Sequence, residues 1–426
     1  VQLTANYPVR GDLTFTNVRY SNWAALLNRS AIETGTSFDG LIEGRAQVSG
    51  PAALPEQLTG RLEVGRVELV TTSRTNLSGP QQTLALRNEG PIVATVNQSR
   101  VQVQQAHLTG PKTDVVISGG ATLRPAVALD LTVNSNVDLA LLEQIDSDIS
   151  SEGGIALNAS IQGPVTAPAV RGRLVLNDAA FQMGDMPAGL SKANGAIAFS
   201  GDVATIESLT GESGGGPIRL SGTISRTGSL LQYDLDARAT RVRVRTRAGV
   251  SAVANANIKL TGTSANSLLA GRVTLQSVGF TSRTDFGSVL TQASAPAETP
   301  SAPQGFIAGM RLNIGIRLAP GAVVQTALAE NIEAEADLTL RGTLTNPGML
   351  GRVQLNQGQF VFFGTKYKVN EGSVSFFNPN KIEPILNLNL ETTARGVAVT
   401  LAVTGPIQNM TLAYQSVPPL PFDEIV

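Results

Sequence analysis

Apolar and polar side chains alternate along much of this chain with a period of two residues. The alternation is clearest in Leu129–Asn134, Leu386–Leu390 and Val397–Val403. Successive side chains of an extended strand point to opposite faces, so each run places its apolar residues on one face. Glycine, proline and asparagine cluster between the runs, as turns require. The pattern predicts a chain that consists almost entirely of β-strands.

Two short stretches have helical spacing instead. Apolar residues recur at helical intervals in Asn22–Glu33 and in Asp138–Asp148. Asp138 begins the second stretch and is a residue type that caps helix N-termini. Both stretches are too short to form separate domains. We therefore expect short helices that cover an end or a side of the sheet.

A strand-turn-strand unit occurs four times. In each copy an alternating strand ends in glycine, a short polar loop follows, and Gly-Arg begins the next strand. The paired positions are Gly50 with Gly60-Arg61, Gly163 with Gly172-Arg173, Gly262 with Gly271-Arg272, and Gly342 with Gly351-Arg352. The two glycines are 10, 9, 9 and 9 residues apart. Repetition of a unit that cannot bury its own apolar face indicates a stacked, quasi-one-dimensional architecture.

The repeated apolar face must be covered, and the predicted helices are too few to cover about thirty strands spaced ~4.8 Å apart. The repeat is open-ended, so we expect a long sheet curled across its width rather than a closed sandwich. The predicted fold class is therefore all-β, a long curled β-sheet groove. Residues 291–305 are rich in Pro, Ala and Ser and predict a flexible loop. This loop would separate groove repeats at 1–290 from a C-terminal β-domain at 306–426.

The alternating apolar positions are the candidate lining of this groove. A lining without polar interruptions would keep a hydrocarbon chain out of water along its whole length. The predicted ligand is therefore an acyl chain. The predicted lining residues are Leu129, Leu131, Val133, Leu174, Ile218, Leu220, Ile258, Leu260, Val273, Leu275, Leu338, Leu340, Val353, Leu355, Leu386, Leu388, Leu390, Val397, Val399, Leu401 and Val403.

Composition argues against several kinds of chemistry. The chain has no cysteine, which excludes disulfides and thiolate metal sites. Its one histidine, His107, has no second His or Cys with which to form a metal site or a nucleophile triad. We interpret His107 as a strand-end or surface residue and predict no metal, no cofactor and no enzymatic activity. Carboxylate pairs of the glycosidase type stay open, because strands bring distant residues together.

One strand carries an unusual charge pattern. Arg241, Arg243, Arg245 and Arg247 alternate with Val and Thr, so four guanidinium groups project from one side. A partner with an anionic head group or a phosphate is one interpretation. An outward polar face that opposes edge pairing and keeps the sheet soluble is the other. We favour the second because no aromatic residues interleave for base stacking. The formal net charge of −1 likewise predicts no nucleic-acid partner.

The sequence offers no membrane anchor of its own. No apolar run reaches the ~18 residues of a membrane-spanning helix, and no signal peptide opens the chain. Val1 lies at the start of a strand-like alternation. We therefore expect this chain to be part of a longer protein whose anchor lies outside the sequence.

The last third of the chain resembles a known family. Gly351–Phe360 is followed by Phe363–Val369, then by Gly372–Phe376 and Pro384–Leu388, with Ser416–Leu420 near the end. The order is a glycine-led strand, aromatic-Gly-x-x-Tyr-x-Val, Gly-x-Val-x-Phe, and Pro-x-Leu-x-Leu. It is similar to the C-terminal domain of the TamB family, the translocation and assembly modules of Gram-negative envelopes. The upstream Gly-Arg units resemble the AsmA-like repeats of the same superfamily.

The resemblance implies a periplasmic β-groove that is anchored in the inner membrane by an N-terminal helix and reaches the outer membrane. It also implies phospholipid transport and support of outer-membrane protein assembly. The implied partner is an Omp85-type outer-membrane barrel, TamA or BamA. The family has no catalytic residues to carry over, and its functional residues are the apolar lining.

Two other classes of protein stay open. One is an extracellular β-solenoid of the adhesin or autotransporter type, and the other is a carbohydrate-active β-helix. Such solenoids favour short, regular coils of ~20–25 residues. The Gly-Arg units here are 112, 99 and 80 residues apart, which argues against regular coils.

Overall fold

The structure is a computed structural model that describes residues 8–22, 38–51, 54, 57–75, 79–145, 149–183, 188–245, 250–280, 310–326, 329–362, 365–394, 396–406 and 409–421. These residues form 23 strands and very little helix, so the predicted all-β fold is confirmed. The strands are β1 Pro8–Arg19, β2 Phe38–Pro51, β3 Thr59–Thr75, β4 Gly79–Asn88, β5 Ile92–Asn97, β6 Arg100–Gly110, β7 Thr113–Thr122, β8 Ala128–Asp138, β9 Ile149–Pro164, β10 Ala169–Met183, β11 Leu190–Gly201, β12 Val203–Ser213, β13 Gly216–Thr227, β14 Leu230–Arg245, β15 Val250–Thr263, β16 Ser267–Phe280, β17 Met310–Thr326, β18 Ala329–Thr343, β19 Pro347–Phe362, β20 Thr365–Phe376, β21 Pro384–Ala394, β22 Val397–Pro406 and β23 Thr411–Val417.

The chain divides into two compact units, an N-terminal unit at Val1–Gly211 and a C-terminal unit at Glu212–Val426. In the N-terminal unit, β1 pairs with β2 and β2 with β3, all antiparallel. The long strand β3 pairs with both β4 and β5, and each of these also pairs with β6. From β6 to β11 each strand pairs with the next in antiparallel order.

In the C-terminal unit, β13 to β16 pair consecutively and antiparallel, and so do β17 to β23. The pair β16–β17 is parallel. The connection between these two strands, 281–309, lies outside the described residues and contains the predicted loop at 291–305. The predicted division into 1–290 and 306–426 therefore stays a prediction. Most neighbouring strands of this chain are antiparallel, whereas the successive coils of a parallel β-helix pair in parallel.

Each Gly-Arg unit is a β-hairpin. The loops join β2 to β3, β9 to β10, β15 to β16, and β18 to β19. Gly351 begins the Gly-Arg step of the last copy, where its φ is +119° and a Cβ would overlap the carbonyl oxygen of Asp337 on β18. Gly172 and Gly271 have the same geometry on their own partner strands. In these three copies the glycine is therefore required by the close approach of two backbones, whereas Gly60 of the first copy has no positive φ and a Cβ there would lie 3.0 Å from the Gln47 carbonyl oxygen.

The described residues confirm the second predicted helix in shortened form. It spans Ala140–Ile145, and the Asp138 carboxylate caps it by accepting a 3.0 Å hydrogen bond from the Ala140 amide. The helix packs beside β9, where the buried Ser151 hydroxyl donates to the Leu139 carbonyl at 2.7 Å. Of the first predicted helix, Asn22–Glu33, all but Asn22 lies outside the described residues.

Candidate functional site

The predicted lining residues of the N-terminal unit lie on one face of its sheet. Leu131 on β8 lies directly opposite Gly119 on β7 and Ile161 on β9. Leu174 on β10 lies opposite Leu157, which is on the same face of β9 as Ile161. Directly opposed residues of neighbouring strands point to the same side. The register therefore joins Leu129, Leu131, Val133 and Leu174 into one apolar patch.

The C-terminal unit has a longer patch of the same kind. Leu220 on β13 lies opposite Ala237, which lies opposite Ile258 on β15. The parallel step keeps this alignment, because Val273 on β16 lies opposite Ile316 on β17. The alignment then continues through Leu338 on β18. Among the described residues of β13–β18, no polar row crosses this face.

The same face continues to β22. Leu355 on β19 and Leu388 on β21 both lie opposite Gly372 on β20. Leu388 in turn lies opposite Val403, and Leu390 lies opposite Leu401. All predicted lining residues of the C-terminal unit thus share one face. Their role as a lipid lining stays a prediction.

Burial divides the 21 predicted lining residues into two groups. We call one the packed group, because its side chains are buried: Leu338, Leu355, Leu388, Leu390, Val399, Leu401 and Val403. We call the other the accessible group, because its side chains are half-buried: Leu129, Leu131, Val133, Leu174, Ile218, Leu220, Ile258, Leu260, Val273, Leu275, Leu340, Val353, Leu386 and Val397. None of the 21 is exposed. The accessible group keeps some exposed apolar surface, although its members Val353, Leu386 and Val397 pack against the buried cluster of the C-terminal unit.

Most of the packed group belongs to one hydrophobic cluster. Leu390 is 0% exposed and Val403 is 1% exposed, so these side chains are covered by other protein atoms. Burial also raises the pKa of the Tyr367 hydroxyl above its usual value. The cluster residues are Ala329, Ile332, Leu355, Tyr367, Val369, Leu388, Leu390, Val399, Leu401 and Val403. The sequence prediction missed four of them, although Tyr367 and Val369 alternate like the others.

The predicted arginine row lies on the opposite face of β14. Arg241, Arg243 and Arg245 are exposed, whereas the intervening valines are half-buried on the apolar side. Arg247 lies outside the described residues. β14 has a strand on each side, β13 and β15. The pairing with β13 covers Leu230–Ala239 and ends before Arg241, whereas the pairing with β15 continues to Arg245, so protection against edge pairing stays a prediction for these arginines.

A β-bulge keeps the arginines on the outer face. The pairing with β15 shifts between Ala239 and Val242, and Arg241 has a φ of +49°. The Arg241 amide donates a 2.8 Å hydrogen bond to Asn255 Oδ1 instead of joining the regular pairing. The extra residue changes the phase of the strand, so that the valines after the bulge stay on the apolar side.

His107 lies on β6 between two carboxylates. Its Nε2 is 2.7 Å from Asp114 Oδ2, and its Nδ1 is 3.5 Å from Glu89 Oε2. The hydrogen bond with Asp114 raises the pKa of His107, and the charges of Asp114 and Glu89 raise it further. Within the described ranges, no three His, Asp or Glu side chains are grouped as a metal site.

These features define an all-β protein whose main chemical feature is an extended apolar sheet face. In the part of the chain that the structure describes, no helix is long and apolar enough to cross a membrane. The chain belongs to the TamB C-terminal domain family, whose family model matches residues 206–426. A comparison with curated proteins gives no match.

Membership of this family indicates where such apolar faces act and in which processes. TamB proteins are structural and transport modules of the periplasm that serve outer-membrane protein assembly and lipid transport. They work with Omp85-type partners. The match of the family model to residues 206–426 confirms the resemblance that the sequence indicated.

Proposed function

We propose that this chain is a non-enzymatic lipid conduit that carries phospholipid acyl chains along the apolar face of its sheets. It acts in the periplasm between the inner and outer membranes, with an Omp85-type barrel such as TamA or BamA as its partner. By supplying lipid there it also supports outer-membrane protein assembly. The observation that carries the proposal is the accessible group, half-buried apolar residues that are aligned across neighbouring strands within each unit.

The free-energy cost of exposing an acyl chain to water favours a continuous apolar lining. Exposing an acyl chain of ~16 methylenes to water costs about 13 kcal/mol, at about 0.8 kcal/mol for each methylene. Leu131 and Leu260 are half-buried, so their side chains still present apolar surface that a ligand would cover. A continuous lining offsets the cost of exposure at every step along the path. A single polar row would interrupt it.

Photo-crosslinking tests the proposal directly. A photoreactive residue at Leu131 or Leu260 would face the apolar side, and one at the exposed Thr132 or Asn387 would face the opposite side. After irradiation in cells, we expect lipid adducts at the two leucine positions and not at the two controls. Adducts on the control face, or on neither face, would contradict lipid conduction.

The packed group provides a second control. The same probe at Leu401, which is 3% exposed, reports on the interior of the cluster. We expect no lipid adduct there, because protein side chains already fill the space. Adducts at Leu401 as strong as those at Leu131 would mean that the lipid path is not confined to the accessible group.

A further inference from the structure

The outer face of β13–β16 carries a concentration of positive charge. Six exposed arginines account for most of this charge, and we refer to them as the basic face: Arg219, Arg238, Arg241, Arg243, Arg245 and Arg272. Two further basic residues, Arg226 and Lys259, bring these four strands to eight, against two acidic residues. The whole chain has a formal net charge of −1. The excess of basic residues on these four strands therefore contrasts with the nearly neutral net charge of the whole chain.

The two acidic residues are already engaged. Lys259 Nζ lies 2.6 Å from Asp234 Oδ1 and 3.3 Å from Asp236 Oδ2. Strands β13, β15 and β16 contain no Asp or Glu. Among the described residues, none of the six arginines forms an ion pair with a carboxylate. Within the part of the chain that the structure describes, carboxylates thus leave the basic face uncompensated.

Elsewhere the sheets pair their charges across strands. Arg45 on β2 lies 3.0 Å from Glu63 on β3, and Arg173 on β10 lies 2.7 Å from Glu207 on β12. On the basic face the register does the opposite, because Arg219 lies directly opposite Arg238. Like charges in directly opposed positions destabilise a sheet. Sheet stability therefore does not account for this arrangement, and an external anion would.

We propose that the basic face docks on a bilayer surface rich in anionic phospholipids. The guanidinium groups come from strands ~4.8 Å apart and, along β14, from alternate residues, so they spread over a plane. A single small anion would need them to converge on one point, whereas a headgroup layer offers phosphates across the plane. Guanidinium groups pair well with phosphate, and basic surfaces bind anionic leaflets.

Neighbouring residues favour a lipid surface over single-stranded nucleic acid. Such strands bind where aromatic side chains stack on the bases. The aromatic residue of β14, Tyr233, lies on the apolar side between Asp234 and Gln232, away from the arginines. This docking does not depend on the proposed lipid conduit, because the basic face and the accessible group lie on opposite sides of the sheet.

Vesicle binding by the intact chain tests the docking. The probes are vesicles of phosphatidylglycerol mixed with phosphatidylcholine, and vesicles of phosphatidylcholine alone. We expect binding to the first only, and weaker binding as salt is added, because salt screens exposed charges. The triple variant R238Q/R243Q/R245Q should bind about a hundredfold more weakly, since each arginine near an anionic surface contributes about fivefold. Arg241 is left unchanged because its backbone forms the bulge.

The matched control removes the same charge elsewhere. The variant R10Q/R100Q/R171Q replaces three exposed arginines of the N-terminal unit that, among the described residues, form no ion pair with a carboxylate. We expect it to keep its vesicle affinity within about twofold, because it differs from the first variant in position and not in net charge. Circular dichroism melting of both variants should match the unmodified chain, which excludes loss of folding as the cause.

Three results would overturn the proposal. The unmodified chain could fail to bind phosphatidylglycerol vesicles. Both triple variants could lose affinity equally, which would make binding a matter of net charge and not of the basic face. The chain could also bind single-stranded DNA through these arginines while its vesicle binding is unchanged in R238Q/R243Q/R245Q, which would assign the face to nucleic acid. Loss of vesicle binding in that variant alone would support it.

Discussion

His107 shows how single residues on the outer face respond to their neighbours. Asp114 and Glu89 both approach its ring, and the hydrogen bond with Asp114 raises its pKa. The charged imidazolium is therefore favoured in the folded state. The pair stabilises the fold at pH values below the unfolded pKa of histidine, and this stabilisation is lost as pH rises through the raised folded pKa.

Replacing one carboxylate tests this account. We expect Asp114→Asn to lower the pKa of His107, because the charged ring loses its closest acceptor. The chain has one histidine, so its ring protons give unambiguous signals in an NMR pH titration. Asp12→Asn on β1 is the control and should leave the titration unchanged. An unchanged titration in Asp114→Asn would mean that the ring is not held by this carboxylate.

Individual residues also show what the sequence could and could not predict. Alternation placed Leu131 and Leu388 on apolar faces in the same way. In the structure Leu131 is half-buried, whereas Leu388 is 5% exposed and belongs to the cluster. Burial depends on which distant strands cover a face, and a period of two residues carries no information about that. A charge at Leu388 would therefore test packing and not lipid passage.

At the scale of elements, the Gly-Arg hairpins were predicted correctly, because in three of the four copies the backbone geometry requires the glycine that begins the Gly-Arg step. Gly351 is one of these glycines, with a positive φ and no room for a Cβ beside the Asp337 carbonyl oxygen. The bulge at Arg241 was not predicted, because a non-glycine residue with positive φ leaves no signature in an alternating run. The strand β14 was therefore predicted, but the change of phase within it was not.

We expect Gly351→Ala to destabilise the chain by about 1–3 kcal/mol, because the new Cβ would overlap the Asp337 carbonyl and strain the backbone. Chemical denaturation followed by circular dichroism measures the change. Gly65→Ala is the matched control, since Gly65 lies within β3 with open space around its Cα. The control should be neutral or slightly stabilising. Equal destabilisation by both changes would show that the hairpin glycine has no special geometry.

At the scale of the whole molecule, the sequence predicted the β-class and the stacking of strand on strand. It did not predict the parallel pair β16–β17, because that pairing depends on the path of a connecting segment and not on either strand. Most strands pair with the next strand in the chain, such as β7 with β8 and β21 with β22. In such an array each element is stabilised mainly by its neighbours.

This arrangement predicts that a destabilising substitution affects only the strands near it. Leu390 is fully buried in the cluster of the C-terminal unit, so Leu390→Ala should cost about 2–5 kcal/mol there. In hydrogen-exchange measurements we expect β20–β22 to lose protection while β7–β9 of the N-terminal unit keep theirs, because the described pairings of those strands do not include the cluster. Leu412→Ala, at a 37% exposed position on β23, should change neither region. Equal loss of protection in both units would instead mean that the chain unfolds as one cooperative body, and stacking of locally stabilised strands would be the wrong description.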